Sequence, residues 1–129
     1  MPVGVLTNQS YDPSNTIYSA TFTADGTPAA SAVRCGFSPR YIVMQQTAGA
    51  PAAANRAEWH EGMTAATAAL WNATSVPSVV AASIGFPILT GGEASPAAIA
   101  TNSPASGLGF TIGTGVQTAS IVYSIKAFK

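Results

Sequence analysis

The stretch "TIYSATFTADG", residues 16–26, indicates the fold class of this chain. Aromatic and alanine side chains occupy every second position from 18 to 24, and this period of two places them on one face of a β-strand. The Asp25-Gly26 pair that follows is the commonest signal for a two-residue hairpin turn. We therefore predict a half-buried strand that turns at Asp25-Gly26 and returns along "ASAVRCGF", residues 30–37.

Other segments of the chain also have the patterns of short strands. The continuous apolar run in "PRYIVMQQ", residues 39–46, is typical of a central strand covered on both faces. Strands are likewise predicted at "RAEWHEGM" (56–63), "VVAASIGFPILTGG" (79–92, with an interruption at Pro87), "LGFTIG" (108–113) and "TASIVYSIKAF" (118–128). The Ala-rich "TAATAALWNA", residues 64–73, favours a short helix and an irregular loop about equally.

These elements predict one all-β domain. A chain of 129 residues is long enough for a single core. Several short strands separated by Gly, Pro and Asn indicate an antiparallel β-sandwich or a jelly-roll-like barrel with at most one short helix. The predicted domain spans residues 16–129. We expect its core to contain large aromatic side chains from different strands, namely Phe37, Tyr41, Trp59, Phe110 and Tyr123.

The first 15 residues have neither helical nor strand periodicity over a useful length. We predict that residues 1–15 form an extended N-terminal arm, which could lie across a neighbouring subunit. With Trp71, its apolar residues are the candidates for a subunit or capsid interface, namely Val3, Val5, Leu6, Tyr11 and Trp71.

The composition limits the classes of partner. Charged residues make up only 8% of the chain, against about 25% in an average soluble protein, so we expect it to bury surface in an oligomer or larger assembly. The formal net charge of zero gives no basic field for nucleic acid, and no apolar run approaches the roughly 20 residues of a membrane span. The N-terminus has no secretion-signal pattern, which predicts folding in a cytoplasm.

The octet "RAEWHEGM" is the densest group of titratable residues and is therefore the candidate for an active site. His60 is the only histidine, and Thr64 stands where the H-E-x-x-H zinc motif needs a second one, so we predict neither a metal nor another cofactor. Strand alternation sends Glu58 and Glu61 to opposite faces, which argues against a pair of catalytic acids. The lone Cys35 is expected to be a small buried apolar residue.

Three blocks resemble a set of small virion proteins of tailed bacteriophages. They are "CGFSPRYIVM" (35–44), "AEWHEGM" (57–63) and "LGFTIGTGV" (108–116), followed by the Tyr-containing terminal strand "IVYSIKAF". The resemblance implies a capsid decoration or cement protein with a β-sandwich or barrel fold, commonly a homotrimer. The implied partner is the major capsid protein, and the implied location is the capsid surface after assembly in the host cytoplasm.

The sequence therefore supports three functional hypotheses. The leading hypothesis is a non-enzymatic decoration protein whose N-terminal arm reaches a neighbouring subunit, so that deleting the arm weakens capsid binding or trimerisation. The alternative is a tail or fibre component that binds host glycans through exposed Trp59, Trp71 or Tyr41. An enzyme that uses Glu58, His60 and Glu61 is the third and least favoured hypothesis.

Overall fold

The computed structural model of this chain describes residues 3–49, 55–71, 78–80, 83–89, 98–103 and 107–129. These residues form β-strands and contain no helix, so the predicted all-β class is confirmed. The strands are β1 (Val5–Tyr11), β2 (Ile17–Thr23), β3 (Ser31–Val33), β4 (Tyr41–Ala48), β5 (Arg56–His60), β6 (Ala68–Trp71), β7 (Ser78–Val80), β8 (Ile88–Leu89), β9 (Gly109–Ile112) and β10 (Val122–Phe128). Within this described part of the chain, no helix is long and apolar enough to cross a membrane.

The strands form two antiparallel sheets that share one core. The larger sheet has seven strands in the order β1-β2-β10-β4-β5-β6-β7, and the smaller has three in the order β3-β9-β8. Alternate residues of β2 and β10 are buried, as the period of two in the sequence predicts. The architecture is a β-sandwich and not a closed barrel, since the hydrogen-bonded strands form two separate sheets.

Large aromatic and aliphatic side chains from both sheets and their loops fill the core. The inner face of the larger sheet contributes Tyr18, Phe22 and Tyr123, all at most 1% exposed. Opposite them, the smaller sheet and its flanking loops contribute Phe37, Phe86 and Phe110, which are equally buried. The Phe86 and Phe110 rings meet edge to face with centroids 6.3 Å apart, an arrangement that aromatic pairs favour.

Short segments join the two sheets at their sides. At one side, the Leu6 amide donates to the Thr101 carbonyl (3.0 Å), and the Ala100 amide donates to the Ala32 carbonyl (2.9 Å). Residues 98–101 therefore contact both β1 and β3. At the other side, the Phe86 amide donates to the Thr67 carbonyl (3.2 Å). Such coverage occupies strand edges that would otherwise offer unpaired backbone groups to other chains.

The N-terminal segment belongs to the larger sheet, which corrects the prediction of an arm over residues 1–15. Residues Val5–Tyr11 pair with β2 as its antiparallel neighbour, and Leu6 is fully buried in the core. The sequence pattern was obscured by a register irregularity between Thr7 and Ser10, which breaks the period of two. Deleting this segment would remove a strand from the sheet, so the truncation proposed from sequence would not test an interface alone.

The predicted Asp25-Gly26 hairpin is wrong. Strand β2 pairs with β1 and β10 in the larger sheet, whereas β3 pairs with β9 in the smaller sheet. The chain instead crosses from the larger sheet to the smaller one between β2 and β3. At the start of this crossing, the Ala24 amide donates to the Ile121 carbonyl (3.0 Å). A two-residue turn signal is local and does not specify which strand the next segment will pair with.

The Ala-rich segment also differs from its prediction. Residues Ala68–Trp71 form β6, where Ala68 is fully buried, while residues 72 and 73 lie outside the described part of the chain. Pairing with β5 and β7 decides the conformation in place of the intrinsic helix propensity of Ala and Leu. The predicted strand at 79–92 is divided between β7 in the larger sheet and β8 in the smaller one.

Glycines allow the smaller sheet to approach its neighbours closely. A Cβ atom on Gly109 would overlap the carbonyl oxygen of Val33 on β3, and one on Gly113 would overlap the carbonyl oxygen of Ile84. Neither glycine has a positive φ, so the requirement is for space and not for a left-handed backbone. Close packing therefore accounts for the glycines of "GFTIG".

Gly109→Ala is therefore expected to destabilise the protein. Overpacking of this kind costs about 1–3 kcal/mol in free energy of unfolding, measurable by urea denaturation. Gly26→Ala is the matched control, since its Cβ would meet nothing nearer than the Ser120 hydroxyl at 3.8 Å and its φ is not positive. Equal stability of the two variants would contradict the close approach.

The turn between β1 and β2 is organised by Asp12. Its carboxylate accepts hydrogen bonds from the Ser14 hydroxyl (2.6 Å), the Ile17 amide (2.7 Å) and the Thr16 hydroxyl (2.8 Å). These hydrogen bonds hold the pKa of Asp12 well below its ordinary value of 3.8, and the bond from Ser14 makes the largest contribution. The charged form of Asp12 is thus the form that holds the turn.

The pH dependence of this turn follows from the lowered pKa of Asp12. Its stabilisation is fully present above the ordinary pKa of 3.8 and is lost as the pH falls through the lower folded-state pKa. Carboxyl ¹³C NMR should show Asp12 still ionised at a pH where the same residue in a peptide of residues 8–20 is protonated. Identical midpoints in protein and peptide would contradict these hydrogen bonds.

Candidate functional site

The candidate functional residues lie on two surfaces: the side of the larger sheet that faces away from the core, and a cleft at one end of the sandwich. We call the side of the larger sheet that faces away from the core the outer face. On β5, Ala57 and Trp59 point into the core, whereas Arg56, Glu58 and His60 belong to the outer face. The alternation predicted for "RAEWHEGM" is therefore present in β5, and this octet contributes side chains to both sides of the sheet.

An interacting row of side chains crosses the outer face from β6 to β4. We call Trp71, Arg56, Glu58 and Tyr41 the outer-face ladder. The Arg56 guanidinium lies 5.8 Å from the centre of the Trp71 ring and contacts the Glu58 carboxylate at 3.2 Å. The Tyr41 hydroxyl donates to the same carboxylate at 2.8 Å. Partial burial raises the pKa of Tyr41, and the hydrogen bond to Glu58 acts in the same direction.

The ladder satisfies its own charges. Glu58 has both a cationic and a hydroxyl partner, and Arg56 has both a carboxylate and an aromatic partner. Cross-strand and surface pairs of this type contribute about 0.2–1 kcal/mol each. The arrangement is thus able to stiffen the face, and it presents a charge pair that needs no further counter-ion.

An open cleft lies at one end of the sandwich. It is lined by residues 36–40, Glu61, Leu108 and Lys129. Its rim carries an exposed ion pair between Arg40 Nε and Glu61 Oε2 at 3.4 Å, with side chains 73% and 68% exposed. So exposed a pair is weak, because solvent screens it and both side chains lose freedom when they meet.

Backbone hydrogen bonds assemble this end cleft from distant parts of the chain. The Gly36 amide donates to the Leu108 carbonyl (3.0 Å), and the Glu61 amide donates to the Arg40 carbonyl (2.8 Å). The Arg40 amide donates to the Phe128 carbonyl (2.8 Å). The blocks at 35–44, 57–63 and 108–116 and the terminal strand therefore meet around one cleft, although the sequence alone gave no sign that they were adjacent.

The two tryptophans lie on different sides of the larger sheet. Trp59 is only 8% exposed on the inner face, and its indole Nε1 donates to the Thr64 carbonyl at 3.3 Å. Trp71 is partly exposed on the outer face beside Arg56. A glycan platform containing both tryptophans is therefore excluded by geometry, and only Trp71 and Tyr41 remain on an accessible face.

The other predicted site residues divide between core and surface. Phe37, Phe110 and Tyr123 are buried as core residues. Tyr41 is not a core residue: it is half-buried on the outer face, with its ring 5.6 Å from that of Phe128. It occupies the outward position because Ile42 and Met44 take the inward ones on β4.

The interface candidates of the first strand separate in the same way. Leu6 belongs to the core, which corrects its assignment to an interface. Val5 and Tyr11 are 37% and 44% exposed, and Val3 is partly exposed. Only these three of the four N-terminal candidates are accessible to a partner.

The titratable residues do not converge on one point. Among the described residues, no group of three His, Cys, Asp or Glu side chains is placed to hold a metal ion. Glu58 contacts Arg56 and Tyr41 on the outer face, whereas Glu61 contacts Arg40 at the end cleft. Cys35 is fully buried, and burial raises the pKa of its thiol, which keeps it in the less reactive neutral form.

Comparison with known proteins found no matching family model, no matching curated protein and no matching solved structure.

The two tryptophans should differ strongly in their contribution to stability. Trp59→Ala is expected to lower the free energy of unfolding by about 3–5 kcal/mol, because it empties a core position. Trp71→Ala, its matched control on the outer face, should cost only about 1 kcal/mol through the lost contact with Arg56. Chemical denaturation of both variants measures this, and similar losses would contradict the opposite orientations.

Proposed function

We propose that this chain is a non-enzymatic structural protein of a tailed-bacteriophage particle, which binds the outer surface of the head and stabilises it. Its partner is the major capsid protein. Its mechanism is to bridge neighbouring capsid subunits and add buried surface across their seams, so that the head better resists internal pressure.

The observation that carries the proposal is the meeting of the resemblance blocks at the end cleft. Residues 36–40, Glu61 and Leu108 come from three blocks that are distant in sequence, and they line one accessible surface. The Arg40 and Glu61 side chains are mostly exposed, so core packing does not account for these two charges. A shared surface is what attachment to a common partner requires, and we assign head attachment to the end cleft.

The exposed surface of the described chain supports an assembly role. Large apolar side chains remain accessible on β1 and β7, the two edge strands of the larger sheet, where Val5 is 37% exposed and Val79 is 66% exposed. The chain has only five basic and five acidic residues with which to hydrate its surface. Both features favour burial against other subunits. The homotrimer implied by the resemblance remains part of the proposal.

Head binding tests the proposal directly. Heads from a phage whose genome carries this sequence would be prepared without the protein and then mixed with purified chain. We expect co-sedimentation and new density outside the shell in electron micrographs, together with a higher temperature of head disruption. Arg40→Glu should weaken binding at least about tenfold, because it reverses a charge on the attachment surface.

Thr114→Glu is the control, since it adds a negative charge at an exposed turn outside the end cleft. Equal loss of binding in both variants would show that the end cleft is not the attachment surface. No density outside the shell at saturating protein would overturn the decoration role itself.

A tail or fibre protein that binds host glycans is the second candidate. The observation that favours it is the presence of Trp71 and Tyr41 on one accessible face, flanking Arg56 and Glu58. Aromatic rings beside hydrogen-bonding groups suit sugar recognition. Glycan-array binding that is lost in Trp71→Ala, with head stability unchanged, would replace the decoration proposal with this one.

A further inference from the structure

The outer face has an unusually low charge for an exposed sheet. In its described strands, the charged side chains are Arg56, Glu58 and Lys126, with His60 at one end. Arg56 and Glu58 neutralise each other at 3.2 Å. Lys126 is exposed, and its side-chain ammonium forms no hydrogen bond or ion pair with any described residue. Of the charged side chains in these strands, Lys126 is therefore the one without a counter-ion among the described residues.

The strand register gives the position of that cation relative to the nearest carboxylate. Lys126 on β10 lies opposite Val43 on β4, and Val43 lies opposite Glu58 on β5. The three residues thus form one row across the sheet. Neighbouring strands are about 4.8 Å apart, so Lys126 and Glu58 lie at equal distances on either side of Val43.

We propose that two copies of this chain pack their outer faces together about a twofold axis that runs along β4 over Val43. This axis exchanges the positions of β10 and β5. It therefore places Lys126 of each copy over Glu58 of the other, and two ion pairs form. Each Glu58 is then shared between Arg56 of its own chain and Lys126 of the other copy, and in an isologous contact one match implies its symmetric repeat.

The other rows of the outer face are compatible with this packing. In the same arrangement, Ser124 faces Arg56 and Phe128 faces His60, so no two like charges meet. Small hydroxyl side chains on β2 and β10 leave room for the other sheet, which would lie about 10 Å away in an aligned sandwich. Lys126 and Glu58 are each one strand from the axis, where the twist between the sheets displaces them least.

The dimensions of the face suit a stable contact. Seven strands span about 30 Å, and the longer strands extend about 20 Å along the sheet. That footprint of about 600 Å² approaches the roughly 800 Å² of accessible surface that each partner buries in a standard interface. The exposed Ile17 and Val79 at opposite parts of the face add apolar area to the contact.

This contact is independent of head binding, because it uses the outer face and not the end cleft. It also leaves other surfaces free for a threefold association. If trimers form as well, twofold contacts of this kind would join neighbouring trimers into a continuous net.

Charge reversal tests the contact in purified full-length protein. Sedimentation equilibrium should show wild-type association that Lys126→Glu weakens at least about tenfold, because two glutamates then face each other. Glu58→Lys should do the same through facing lysines. An equimolar mixture of the two variants should associate again, since each copy then supplies what the other lacks. Lys129→Glu, the same reversal outside the outer face, should leave association unchanged.

A further variant keeps the test decisive if Glu58→Lys disturbs the outer-face ladder or the fold. Val43→Lys leaves Lys126 and Glu58 in place but puts like charges on the axis, so it should also separate the copies. Three results would overturn the inference: a wild-type monomer at all concentrations, an assembly that Lys126→Glu or Val43→Lys leaves intact, or equal weakening by Lys129→Glu. A wild-type chain that self-associates but does not bind heads would count against the decoration proposal alone.

Discussion

The last strand of the chain determines whether the larger sheet exists. Strand β10 lies between β2 and β4, so among the described strands β1 and β2 are joined to the other four strands of this sheet through residues Val122–Phe128. Its inward residues Tyr123 and Ile125 are at most 1% exposed and complete the core. The sheet therefore closes through contacts between residues about 100 positions apart in the case of β2 and β10, a non-local topology that generally folds slowly.

The smaller sheet depends on close approach between backbone segments. A Cβ atom at position 109 would overlap Val33 on β3 of the same sheet, and one at position 113 would overlap Ile84, so this packing requires glycine at both positions. Hydrogen bonds from residues 98–101 and from Phe86 then join the sheets at their sides. The glycines of "GFTIG" thus have a packing role, because the available space admits hydrogen but not a methyl group.

The distribution of charge connects the fold to the proposed assembly. Core formation uses one side of the larger sheet and leaves a broad outer face with few charges. The outer-face ladder neutralises Glu58 and Arg56 locally, which lowers the cost of removing that face from water. The end cleft, in contrast, displays a loosely paired Arg40 and Glu61 to solvent. The molecule therefore has two chemically different surfaces, and we propose the outer face for contact between copies and the end cleft for a different partner.

The sequence alone determined the all-β class, the strands at β2, β5, β9 and β10, and the burial of Trp59 and Tyr123. Each follows from local alternation and side-chain size, which any strand pairing preserves. It also predicted that Glu58 and Glu61 are apart, although the reason differs: β5 ends at His60, and Glu61 lies beyond it at the end cleft. The sequence identified the candidate site only in part, because no pattern in it assigned a role to Arg40.

Only the tertiary structure decided the pairing of the strands. It placed β2 and β3 in different sheets despite Asp25-Gly26, included residues 5–11 in the sheet, and turned Tyr41 outward. It also converted the helix-favouring residues 68–71 into β6. The physical reason is the same throughout: hydrogen bonds and burial between distant segments outweigh local preferences of about 1 kcal/mol or less per residue. Those distant contacts also created the end cleft and the row from Lys126 to Glu58.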